Sequence, residues 1–209
     1  MDGGMKKLLF AMFVALLMAG CGGETKKPGG DSPESNQSSG EVAKINLDDP
    51  ETRKKIIAEA IGGNKLQLRD NKGDELAYAP NEQKTYSGWE KEMHDNGTIW
   101  WLSQWKDGKK DGLCTWWHGN GKKSMEQNYK NGKRDGVETD WFENGQKELE
   151  ANYKDGKQDG LETGWYQNGQ KEYEGNWKDG KQDGLWVFYN EDGTEKSRLS
   201  FKDGEEVEE

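Results

Sequence analysis

Cysteine, histidine and apolar residues are all scarce in this chain, and each scarcity closes a route. Of 209 residues, two are Cys and two are His. With Cys21 set aside, Cys114 has no thiol to pair with, so no internal disulfide framework forms. Apolar residues make up 30% and charged residues 33%, which is thin for a closed globular core. Basic charge is also short. Without residues 1–20, 28 basic and 39 acidic residues remain, a net charge of −11. That sign excludes binding nucleic acid or anionic lipid by charge. The chain has no nucleophile elbow, phosphate loop, zinc spacing or dinucleotide fingerprint. These gaps point to a non-enzyme without cofactor or metal.

Aromatic residues, by contrast, are abundant and local. All ten Trp fall between Trp89 and Trp186, which marks that segment as folded, because disordered chains lack aromatics. Ahead of it, Met5-Lys6-Lys7 is a basic n-region, with Met5 an alternative start. Leu8 to Met18 is an apolar run of eleven residues, too short for an ordinary spanning helix. Met18-Ala19-Gly20-Cys21 follows. It resembles a bacterial lipobox, with Met18 where Leu is usual, and the resemblance implies a lipid on the Cys21 thiol. Acyl chains there would hold the protein at a bilayer of the bacterial cell envelope. Gly22 and Gly23, with no Asp beside the Cys, resemble an outer-membrane sorting context where two membranes exist.

The segments divide accordingly. Residues 1–20 read as a lipoprotein signal peptide and 21–44 as a disordered tether rich in Gly, Ser and charge. In 45–63 a short helix is expected: Asp49 as N-cap, Pro50 at the first helical position, Glu51 in the first turn. Ile56, Ile57, Ala60 and Ile61 form one apolar stripe, and Gly62-Gly63 stops it. A helix of about three turns is marginal alone and must dock on something.

From residue 89 the sequence repeats every 24 residues. Asn96-Gly97, Asn120-Gly121, Asn144-Gly145 and Asn168-Gly169 are in register, and Asp192-Gly193 follows in step. So are Trp105, Tyr129, Tyr153, Trp177 and Phe201, and so are Asp111-Gly112, Asp135-Gly136, Asp159-Gly160 and Asp183-Gly184. The units are 89–112, 113–136, 137–160, 161–184 and 185–205. A degenerate capping hairpin at 64–88, with Lys72-Gly73 at its turn, precedes them, and 206–209 is an acidic tail. Asn-Gly between aromatic-rich runs signals a β-hairpin. The expected fold is all-β: an elongated single-layer antiparallel β-hairpin meander of about eleven or twelve strands, with one short N-terminal α-helix. Alternation places Leu161, Thr163, Trp165, Tyr173, Gly175 and Trp177 on an aromatic face. It places Glu162, Tyr166, Glu172, Glu174 and Asn176 on an acidic one.

The pattern Trp-Tyr/Phe-x-Asn-Gly-Gln-Lys-Glu, then Asn-Tyr/Trp-Lys-Asp-Gly-Lys-x-Asp-Gly, resembles the MORN-variant repeat of bacteria. It covers about 89–205. Many such proteins are catalogued by similarity as antitoxins of the YwqK type. The resemblance implies a hairpin sheet with a binding or scaffolding role and supplies no catalytic residues.

Other candidates give way to plainer readings. His94 and His118 sit on one column two strands apart, about 9–10 Å, too far to share a metal. Cys114 lies about 13 Å along the strand from His118, so no thiolate–imidazole dyad forms. Glu148, Glu150, Glu172 and Glu174 repeat on an open face beside Lys147 and Lys171, not across a cleft. The two Asp-Gly steps of Lys154–Gly160 (KDGKQDG) suit turns; two carboxylates beside two Lys do not make a calcium site.

The aromatic residues Trp117, Trp141, Tyr153, Trp165 and Trp177 are the candidate binding residues. The expected partner is an unidentified protein, met by several equivalent repeats. An antitoxin or immunity protein, and a binder of wall glycan or a choline-like group through stacked rings, are the alternatives.

Overall fold

The computed structural model describes residues 45–71 and 73–208. The expected signal peptide, Cys21 and the expected tether, with Lys72 and Glu209, lie outside the described residues.

The helix forms where its caps predict. It spans Pro50–Glu59, and the Asp49 carboxylate accepts from the Thr52 N–H at 2.8 Å. It ends before the glycines: Ala60 is already extended, with its N–H bonded to the Ile56 carbonyl at 2.8 Å. Ile61 therefore leaves the helical stripe. With Gly62 it makes a short strand parallel to Gly88–Met93.

That strand opens a 13-stranded sheet, otherwise an antiparallel meander in sequence order. After Gly88–Met93 come Ile99–Lys106, Lys109–Trp117, Lys123–Lys130, Lys133–Trp141, Lys147–Lys154, Lys157–Trp165 and Lys171–Lys178. Gly184–Tyr189, Glu195–Lys202 and Glu205–Val207 complete the path. The expected capping hairpin exists, as Gln67–Asn71 paired with Asp74–Tyr78, but it is a separate two-stranded sheet. It meets the turns of the large sheet through the Ala77 N–H, which bonds the Gly108 carbonyl at 2.9 Å.

Two kinds of turn alternate. Between Lys154 and Lys157, which pair directly, Asp155 (φ 49°) and Gly156 (φ 91°) make a two-residue turn with both φ positive. That is the type I′ geometry, which matches strand twist and favours Gly second. At the other end the Gly169 N–H bonds the Tyr166 carbonyl and the Tyr166 N–H bonds the Gln170 carbonyl, both at 2.9 Å. This is the three-residue loop, with Gly169 at φ 85°. The tightest corner is thus Asp-Gly, and Asn-Gly closes the looser loop.

The second Asp-Gly of KDGKQDG is not a corner. Pairing jumps between Gln158↔Tyr153 and Glu162↔Ala151, so Asp159-Gly160 lies in a bulge within the strand. Its role is to stack repeats. The Asp111 carboxylate accepts from the Asn131 N–H at 2.9 Å, and the Gly132 N–H bonds the Lys110 carbonyl at 2.7 Å. Each turn is therefore tied to the bulge of the preceding repeat. The loops stack likewise: the Asn144 amide donates to the Gln167 carbonyl at 3.1 Å, and Asn168 to that of Glu191 at 2.8 Å.

One more bulge decides which side chains share a face. Trp165 pairs with Lys171 but Gly164 with Tyr173, leaving Glu172 as an extra residue. Because side chains alternate with period two, one extra residue moves the rest of the strand to the other face. The expected aromatic face is therefore split. Leu161, Thr163 and Trp165 share a face with Glu174 and Asn176. Tyr173, Gly175 and Trp177 share the opposite face with Glu162.

The helix docks on the first of these faces, at the N-terminal end of the sheet. Leu47, Ala60, Ile99, Leu102 and Trp117 form the core there, with Ile56, Ile57, Trp89 and Leu113 packed against it. The Arg53 guanidinium lies 5.8 Å from the Trp117 ring, and Lys123 bridges Asp48 at 2.9 Å and Glu126 at 2.6 Å.

Candidate functional site

On the helix-bearing face the units from 113, 137 and 161 contribute the same set: an aliphatic residue, a Thr and an aromatic ring, edged by a Lys–Glu pair. In the unit from 113 the helix covers it, and Trp117 is 1% exposed. Later units are open: Val137 is 42%, Leu161 46% and Leu185 40% exposed. Trp141 and Trp165 are half-buried there, with Lys123 and Lys147 ammonium groups 5.7 and 5.5 Å from their ring centres. Such contacts contribute about 0.5–1 kcal/mol when exposed. Lys171 pairs with Glu174 at 2.5 Å, and Lys147 with Glu150. The glutamates expected on a separate acidic face are therefore shared out: Glu150 and Glu174 edge the Trp, while Glu148 and Glu172 are bulge residues.

The opposite face has its own core, although it is one layer thick. A straight cross-strand row runs Glu90, Ser103, Cys114, Gln127, Glu138, Ala151, Glu162, Gly175. These residues are buried, and at the C-terminal end the Trp186 ring covers Gly175. A Cβ on Gly175 would lie 2.1 Å from the Trp186 ring, and one on Gly164 2.4 Å from Tyr173. Here glycine gives the rings room. Tyr173 and Trp186 stack with centroids 5.8 Å apart, and Trp177 meets Trp186 edge-on at 5.7 Å.

Buried carboxylates in this row have partners at its two ends. Glu90 accepts from the Trp105 indole at 2.8 Å; burial raises its pKa, opposed by that bond. Glu162 accepts from the Tyr173 hydroxyl at 2.9 Å and the Gln158 amide at 2.5 Å. In the middle the arrangement changes. Glu138, buried, has the Arg134 guanidinium at 3.3 Å but no well-formed hydrogen bond to Oε2. Its pKa is raised by burial. Asp140 is pushed up to about 7, by burial first and then by the charges of Glu138 and Glu148, with Arg134 opposing.

The five candidate aromatic residues thus do not form one surface. Trp117, Trp141 and Trp165 belong to the helix-bearing face, and Tyr153 and Trp177 to the other. Tyr153 lies under Arg134, 5.0 Å from the ring centre. Trp117 is covered by the helix. The exposed aliphatic column is a surface that attention to the Trp residues missed; a small apolar residue just after each second Asp-Gly was its signal.

The remaining candidates are engaged in the fold. His94 and His118 each place Nε2 2.8 Å from a carbonyl of the next repeat, those of Trp117 and Trp141. Tyr166, on the same column, bonds the Tyr189 carbonyl at 2.8 Å. Cys114 is buried with its sulfur 2.9 Å from the Ser103 hydroxyl, and burial pushes its thiol up, away from the reactive thiolate. Among the described residues no group of three or more His, Cys, Asp or Glu could hold a metal.

Hairpins tied one to the next through stacked turns, with two differently built faces, define a single-layer β-repeat array. Three consecutive stretches, residues 110–131, 134–155 and 158–179, match the MORN repeat variant family. Each match opens two residues past a two-residue turn (Asp107-Gly108, Asn131-Gly132, Asp155-Gly156) and closes on the first residue of the next, so it frames one hairpin. Repeats of this kind are commonly protein- or membrane-interaction modules and are generally non-catalytic. No curated protein matches the chain.

Proposed function

We propose that this chain is a non-enzymatic envelope lipoprotein, anchored through a lipid at Cys21, whose repeats bind a protein partner on the helix-bearing face. The observation that carries this reading is the aliphatic column. In the unit from 113, Trp117 is buried and Leu113 is partly buried against the helix-capped core, while the aliphatic positions at Val137, Leu161 and Leu185 stay exposed. Exposed apolar residues in a regular row favour a protein contact over solvent. The helix supplies an example of the occupant: an amphipathic segment seated on Trp and Lys. A cleft of about 390 Å³ between Arg53, Trp117, Lys123 and Trp141 carries the surface from the helix to the next repeat. Equivalent repeats would give a long partner several similar contacts. No helix among the described residues is long and apolar enough to cross a membrane, so attachment in this reading rests on Cys21.

The test is capture from intact envelopes by crosslinking and pull-down, wild type against Leu161→Lys with Leu185→Lys. A specific protein retained by the wild type and lost in the double variant supports the reading. Equal recovery from both defeats it. The anchor is checked separately: Cys21→Ser must abolish labelling by radioactive palmitate and release the protein from the membrane fraction. Should deletion of the gene be lethal only when a neighbouring gene is intact, the partner is a toxin and the role is that of an immunity protein.

A further inference from the structure

The turns and bulges of the hairpins recur, but the rim beside the Asn-Gly loops changes from unit to unit. Before each loop stand His94, His118, Phe142, Tyr166 and Asn190 in turn, and after it Trp100, Ser124, Glu148, Glu172 and Lys196. Recurring residues build the array, so residues that differ at matching places give each junction its own chemistry. At one junction the rim encloses a cleft of about 450 Å³, lined by Phe142, Trp165, Tyr166, Asn168, Glu172 and Glu191. Three rings and two carboxylates line it, and no basic residue does. Two bonds hold its walls: the Tyr166 hydroxyl donates to the Tyr189 carbonyl, and the Asn168 amide to the Glu191 carbonyl, both at 2.8 Å. Among the described residues neither the Glu172 nor the Glu191 carboxylate has an ion pair or hydrogen bond; Lys171, beside Glu172 in sequence, is paired with Glu174. Both carboxylates bear on one group. After burial, it is their charges that push the Tyr166 hydroxyl pKa up. One junction earlier the places of Phe142, Glu172 and Glu191 hold His118, Glu148 and Gln167, so rings and paired acidic charge coincide only here.

We propose that this cleft receives an arginine side chain of the protein partner. The proposal rests on the partner reading above and names one contact within it, since Trp165 belongs to the helix-bearing face. Two unpaired carboxylates call for a cation and oppose an anion. A planar guanidinium stacks on a ring and forks to carboxylates at its edge, so it uses both features of the cleft; an ammonium uses the charge alone. This protein already holds a guanidinium in that way. Arg134 lies 5.0 Å from the Tyr153 ring centre, with the Glu138 carboxylate at 3.3 Å and the Tyr153 hydroxyl at 3.1 Å. On the helix-bearing face, the helix itself brings Arg53 to 5.8 Å from the Trp117 ring centre. Lys147 does not fill the cleft: it lies 5.5 Å from the Trp165 ring centre, but it is paired with Glu150 and is not among the lining residues. The net charge of −10 favours approach of a basic partner.

The test is titration of the whole protein with Nα-acetyl-arginine methylamide, with its lysine counterpart and with its uncharged, nearly isosteric citrulline counterpart, followed by the Trp165 indole signal in NMR. The arginine derivative is expected to saturate, with lysine weaker and citrulline at least about tenfold weaker. Glu172→Gln with Glu191→Gln removes two exposed, unpaired charges and should fold. It should weaken the arginine derivative about tenfold, the effect of one charge-assisted hydrogen bond, and lower recovery of the partner in the envelope crosslinking. Lysine or citrulline binding as well as arginine, an affinity or a recovery unchanged in the double glutamine variant, or no saturation by arginine overturns the proposal and leaves the partner reading standing. Equal capture by the wild type and by Leu161→Lys with Leu185→Lys defeats that reading instead, whatever the titration shows.

Discussion

The units that begin at Leu113 and Leu161 are copies of one sequence in different surroundings. In the first, Trp117 is buried with Arg53 over its ring, and Leu113 is partly buried against the helix-capped core. In the second, Leu161 is exposed and Trp165 is half-buried beneath Lys147. The backbone is the same in both, since turns, bulges and register recur. A repeat therefore specifies a scaffold, and what covers it decides whether a given column is core or contact surface.

Substitution at equivalent positions tests this difference most severely. Trp117→Ala should cost about 3–5 kcal/mol, as for other large buried residues, and Trp165→Ala roughly half as much, by denaturant unfolding. Equal losses would mean the helix adds nothing. On the other face, Ala151 and Gly175 occupy equivalent places in the buried row. Gly175→Ala should destabilise by about 1–3 kcal/mol, because its new Cβ meets the Trp186 ring. A neutral result would show that the ring is not held there.

Acid titration separates the middle of that face from its ends. Asp140 ionises at about 7 in the folded chain and near 3.8 when unfolded. Below about pH 4 both states hold the proton. Between about 4 and 7 only the folded state does, so stability falls as pH rises across that window. Asp140→Asn should flatten this slope and leave the protein more stable than wild type at neutral pH. An unchanged slope would refute the burial of Asp140. The smallest effect is expected at the open column: Leu161→Lys should change stability by no more than about 0.5 kcal/mol. Leu102→Lys, in the helix-covered core, should unfold the N-terminal end.

Much of the scaffold was legible because its signals are local. The 24-residue period, the Asp-Gly and Asn-Gly turns, and the Asp49-Pro50 helix start each depend on a few adjacent residues. The faces were not, because they depend on counting across two turns. Glu172 looks like any strand residue, yet as an unpaired bulge it reverses the side chains of Tyr173 to Trp177. Asp159-Gly160 shares its letters with Asp155-Gly156 but sits mid-strand, where its twin makes the corner. The hairpin from Gln67 follows the repeat pattern loosely and leaves the main sheet altogether. The buried polar group of Gln127, Glu138 and Asp140 was invisible because it joins two repeats across a strand pair.

Site-specific photo-crosslinking in intact envelopes tests the central claim most directly, with the crosslinker at 113, 137, 161 or 185 in turn. The account predicts capture of one and the same protein from 137, 161 and 185, and much less from 113, which packs against the helix-capped core. Capture from 113 as strong as from 161, or from none of the four, would contradict it.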